Sequence, residues 1–424
     1  MHRPFVLGVV VCATLLSVPS THAQFAQQGP KLVGIGALGN ASQGSSVFLS
    51  ADGNTAIVGA ISDSEHYDFQ GAAWVWTRSE GIWTQQGLKL AGLGAVGSAR
   101  RGWSVALSAD GNTAIVGGRN DNGGDGAVWV WTRNGGVWTQ QGPKLVPVYP
   151  AGGFSRQGAS VALSADGNTA IVGGPGYNGD GGAAWVWIRS GGVWTQQGLQ
   201  LAGSDAVGLA VQGATVALSA DGNTAIVGGP GDNGGAGAAW VWTRSGGVWT
   251  QQGAKLVGSG ASGAARQGAV SLSADGNTAV VGGGGDNGGD GAAWVWTRSG
   301  GVWTQQGAKL VGSGASGHAR QGVVSLSADG DVAIVGGLYD DGNTGAAWVW
   351  TRSDGVWTRS EGVWTQEGTK LVGSGAVGAA FQGVSVCLSG DGKTAIVGGP
   401  SDNNNAGAAW VFSVVKNKRR IVRH

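Results

Sequence analysis

Residues 161–174 read Val161-Ala162-Leu163-Ser164-Ala165-Asp166-Gly167-Asn168-Thr169-Ala170-Ile171-Val172-Gly173-Gly174, and after a glycine-rich stretch the chain resumes as Ala183-Ala184-Trp185-Val186-Trp187-Ile188. Val161 to Ser164 alternates as a half-buried strand does, and Ala165 to Asn168 is a tight turn. Thr169 to Val172 is a second strand, and a loop runs from Pro175 to Gly182. Ala183 to Ile188 is a third strand, Ser190-Gly191-Gly192 turns it, and Val193 to Leu201 is a fourth. Asp-Gly and Gly-Gly pairs are strong hairpin signals because such turns use positive φ.

Working outward, the Ser-Ala-Asp-Gly marker recurs with its Asp at 52, 110, 166, 221, 275 and 329, and as Ser-Gly-Asp-Gly at Asp391. The spacings are 58, 56, 55, 54, 54 and 62 residues. The longest has a visible cause: Thr351 to Trp357 is followed at once by a near-copy, Thr358 to Trp364. Four short antiparallel strands per unit, repeated seven times, predict an all-β fold, a seven-bladed β-propeller. The last unit stops at its third strand, Ala408 to Val414. Its missing fourth strand is present at the other end, where Phe25-Ala26-Gln27-Gln28-Gly29-Pro30-Lys31-Leu32-Val33 nearly repeats Trp138 to Val146. The N-terminal strand is therefore expected to complete the last blade and close the ring.

Gln157 to Ser164 followed by Thr169 to Pro175 resembles the FG-GAP repeat, and Ala183-Ala184-Trp185-Val186-Trp187 resembles the bacterial form of that repeat, with its aromatic-x-aromatic strand. The resemblance covers nearly all of residues 25–415. It implies an integrin alpha-like propeller and a binding or adhesion role outside the cell. Here Gln-Gly mostly stands where that repeat has Phe-Gly. The calcium loop between the first two strands is shortened to Ala-Asp-Gly-Asn, too few oxygens for calcium's six to eight.

Three regions follow: 1–23, a signal peptide; 24–415, the propeller; 416–424, a basic tail. Arg3, the apolar run Phe5 to Leu16 and Thr21-His22-Ala23 predict secretion with cleavage after Ala23. Five of the cations lie after Val415, so the propeller body is mildly acidic despite a net charge of +1, which argues against nucleic acid. No later stretch has the length and hydropathy of a transmembrane segment. Cys387 is the one cysteine after Ala23, so no internal disulfide is expected.

No catalytic set emerges. His66, His318 and His424 are scattered, and neither metal-ligand spacing nor a Gly-x-Ser-x-Gly elbow is present. The tryptophan pairs, such as Trp185 and Trp187, share one strand face and serve either as blade packing or as sugar platforms. The turn Asp side chains bond their own backbone or, alternatively, echo a sialidase hairpin. Asp121/Asp125 and Asp286/Asp290 are half of a calcium-loop pattern; no cofactor is expected beyond such a weak calcium site. The link-to-loop side carries nearly all variation between copies. There Arg100, Arg156, Arg266 and Arg320 are expected to crowd the channel mouth, among a near-ring of Gln43, Gln157, Gln212, Gln267, Gln321 and Gln382. They would either bond loop carbonyls or hold an acidic ligand. The function expected is a non-catalytic extracellular module for a protein or glycan. The alternatives are a multivalent secreted lectin and a sialidase- or lyase-type enzyme.

Overall fold

The computed structural model describes residues 24–64, 68–147, 154–353 and 362–415. The expected signal peptide, the basic tail, His66, His424 and residues 354–361, which join the two near-copies, lie outside the described residues. The remainder forms seven four-stranded antiparallel sheets arranged as the blades of a propeller. Blade 1 starts at Gln43–Leu49 and blades 2 to 6 at Ser104–Leu107, Ser160–Leu163, Thr215–Leu218, Gln267–Leu272 and Gln321–Leu326. Blade 7 consists of Ser385–Leu388, Thr394–Gly399, Ala408–Val415 and, from the other end of the chain, Gln24–Gln27. The closing register pairs Gln24 with Val415 and Phe25 with Val414, and Leu32 bridges Ala409 further along. In blade 6 the fourth strand, Val363–Gln366, begins at the end of the second near-copy.

Alternation explains each sheet. The second strands and the inner halves of the third are buried on both faces, so they read as apolar runs such as Thr-Ala-Ile-Val. The first tryptophan of each pair, from Trp74 to Trp410, is at most 2% exposed. Its indole lies against the link that enters its own blade. A methyl added at Gly258 would stand 2.3 Å from the Trp294 ring, whose Nε1 donates to the Ser259 carbonyl at 2.8 Å. The third-strand tryptophan pairs are therefore packing elements, not sugar platforms.

Adjacent blades meet backbone to backbone near the axis. A Cβ on Gly59 would sit 2.2 Å from the Gly102 carbonyl oxygen of the next blade. The Gly-Gly ending strand two and the Gly of Gln-Gly both serve this approach. Below it, the seven turns join in a closed circle: Ala51 N–H donates to Ala109 O, and the relay runs through Ala165, Ala220, Ala274, Ala328 and Gly390 back to Ala51, at 2.8–3.0 Å.

Candidate functional site at the channel mouth

The opposite mouth is framed by the links between blades. In every link the residue two places before the inner-strand glycine adopts positive φ: Ser42, Arg100, Arg156, Val211, Arg266, Arg320 and Phe381, all between 52° and 58°. Each such residue costs roughly 1–2 kcal/mol of backbone strain. The strain is held because its N–H and the next one both donate to the loop of the preceding blade, as Arg266 N to Gly235 O and Gln267 N to Ala236 O. Four of the seven strained positions are the predicted arginines.

The glutamines that follow do not face the mouth. Gln157, Gln267 and Gln321 are at most 2% exposed. Gln267 and Gln321 spend both amide atoms on the link, accepting from Gly258 and Gly312 N–H and donating to the same residues' carbonyls. Blade 2 carries Arg101 at this place, and it too bonds its link at the Gly92 carbonyl.

The arginines are brought to one rim. Arg266 and Arg320 line a cavity of about 440 Å³ together with Ala214, Pro230, Ala269 and Val323, from blades 4 to 6. Arg320 stacks on Tyr339 at 4.8 Å and Arg100 on Phe69 at 5.1 Å, while Arg156 lies 3.6 Å from Asp180. Among the described residues, none of the four guanidinium groups bonds a loop carbonyl.

The loop carboxylates divide. Asp121 and Asp286 are buried; each accepts one link N–H at 2.7 Å, from Val96 and Ser262, and pairs its other oxygen with Lys144 and Lys309. Asp125 and Asp290 are met by Asn122 and Asn287, and Asp290 also by His318 at 2.9 Å. Among the described residues no group of three or more His, Cys, Asp and Glu converges as metal ligands do. Six blades carry the buried Asp–Lys pair, and in blade 7 it joins Asp402 to Lys31 of the closing strand. Blade 3 replaces both members at once, with Tyr177 and Gln200.

The turn aspartates stay local. Asp221 accepts from Ser219 Oγ at 2.5 Å and from Asn223 N at 2.9 Å. Burial pushes this carboxyl up, but the bonds from Ser219 and Asn223, with Arg244 nearby, outweigh it and hold it below the usual range. Arg244 belongs to a clamp that sequence reasoning missed. It donates to Asn223 of its own turn and to Gln197 and Thr169 of the preceding blade, and it lies 5.3 Å over Trp249, whose Nε1 donates to the same Gln197 oxygen. The signal was the Trp-Thr-Arg run repeated in the third strands. Cys387 is buried beside the channel, and burial raises its thiol to about 11, far from a reactive thiolate.

Fold and rim together define a repeat-built seven-bladed β-propeller with a cationic mouth. Neither a scan against protein-family models nor a search of curated proteins finds a match for this chain. Among the described residues no helix is long and apolar enough to cross a membrane.

Proposed function

We propose that this chain is a non-catalytic, secreted, FG-GAP-like propeller that binds an acidic protein or glycan at the channel mouth. The observation that carries the reading is the cavity shared by Arg266 and Arg320. Its walls are mostly glycine, alanine and proline, and its two cations have no carboxylate partner among the described residues. A planar guanidinium fork in a concave apolar setting suits a carboxylate, because desolvation strengthens charge-assisted bonds. The signal-like first 23 residues and the FG-GAP resemblance support an adhesive or binding role outside the cell. The test is an array of glycans and extracellular proteins probed with the mature chain and with R266Q/R320Q. The double variant should lose its acidic ligand by tenfold or more and keep its melting temperature. Equal binding by both proteins sinks the reading, and turnover of any array substrate redirects it to an enzyme.

A further inference from the structure

Comparing the seven copies isolates blade 2. After the inner-strand glycine, six copies carry Ser45, Ala159, Ala214, Ala269, Val323 and Val384, and blade 2 carries Trp103. After the second strand, six copies carry Ile61, Pro175, Pro230, Gly284, Leu338 and Pro400, and blade 2 carries Arg119. The two departures meet: the Arg119 guanidinium lies 3.3 Å over the Trp103 ring. Their equivalents in blades 4 to 6, Ala269 and Gly284 among them, line the mouth cavity, so the pair stands on the same rim at another blade.

Arg119 is not alone there. Burial first, and then the positive charges of Arg156 and Arg100, lower its basicity to about 10. The Nε atoms of Arg119 and Arg100 are both buried with no hydrogen-bond partner. Among the described residues, the one carboxylate paired with the group is Asp180, which meets Arg156 where both are half exposed. A buried donor without an acceptor is destabilising, and crowded like charges add to that. A methionine or leucine over Trp103 would fill the same space without either penalty. An anion removes both.

We propose that Trp103, Arg119, Arg100 and Arg156 form a binding site for a tetrahedral oxyanion ester, a sulfate or phosphate group carried by the ligand. Three forks outnumber the two oxygens of a carboxylate, whereas such an ester offers three terminal oxygens. Trp103 fixes the plane of Arg119, so less freedom is lost on binding. The assignment rests on the mouth being the ligand surface and adds the charged group that the ligand bears there.

The test is calorimetric titration of the mature chain, at low ionic strength, with glucose 6-sulfate, glucose 6-phosphate and glucuronate. At least one ester should bind more tightly than glucuronate, and R119Q and R156Q should each weaken that ester about fivefold or more. Tighter binding of the phosphate marks a phosphorylated ligand, and tighter binding of the sulfate a sulfated one. K393Q, which removes an exposed cation in the blade 7 turn at the opposite end of the channel, should leave ester affinity within about twofold. If glucuronate binding is indifferent to R266Q/R320Q, the cavity reading falls and the ester site stands. Esters that bind no better than glucuronate, or R119Q and R156Q variants that bind like the parent, overturn the proposal. Should R119Q fail to fold, R156Q decides, since its side chain is exposed.

Discussion

At the scale of single residues, the loop aspartates show how a pattern can be read correctly and its partner missed. Asp286 is half of a calcium loop on paper, and in the structure it is the anion of a buried pair with Lys309, 23 residues away. Nothing local in the sequence links the two. The signal was available in the comparison of copies, because blade 3 lacks both members together. Removing one partner of a buried pair leaves an unsatisfied charge, at a cost of about 3–5 kcal/mol, while exchanging both together costs much less. Lys309→Gln alone should therefore lower stability by several kcal/mol. The double variant D286Y/K309Q, which copies blade 3, should recover more than half of that loss in a denaturant titration. Additive losses would mean that the pair is not a unit. The arginines were legible as rim residues because their place in each link is fixed by the repeat. Arg119 and Trp103 were not singled out, since their meaning comes from a stack across two strands.

Among the elements, the closing strand carries the most weight. It was readable because Phe25 to Val33 is nearly a copy of a fourth strand. Its hydrogen-bonded part is Gln24–Gln27, the Gln28 N–H donating to Val411 O, and the bridge at Leu32, the pattern that blade 1 shows with Ile82–Gln85 and Leu90 and blade 4 with Val248–Gln251 and Leu256. Blade 3 differs in keeping one strand from Val193 to Leu201. The side-chain role of the element was not readable. Gln28 accepts from Arg78 and Trp83 of blade 1, and Lys31 pairs with Asp402 of blade 7, so these few residues fasten both neighbours. Deleting residues 24–34 should lower the melting temperature by roughly 10 °C or more, through an orphaned carboxylate and an unpaired edge. An unchanged melt would contradict closure by this strand.

For the whole molecule, stability is distributed around a ring whose blade contacts are repeated polar clamps and interlocked glycines, with no metal-binding cluster among the described residues. Adding a chelator should leave the melting temperature within about 1 °C, and a clear drop would reinstate Asp125 and Asp290 as calcium ligands. The near-identity of the copies poses a problem that the seam resolves. An end strand resembling every other fourth strand can be claimed by the wrong sheet, and blades 1 to 6 all follow it in the chain. Its proper partner is marked as different. Where other blades face an arginine with a tryptophan, blade 7 faces Val414 with Phe25, and Phe412 replaces the second tryptophan. The apolar couple is a lock-and-key address: Phe25 set opposite any of the arginines would forfeit its match, and only the last blade to be made offers one. The copy whose third strand exchanges arginine for valine is thus the one that tells the chain where its two ends meet.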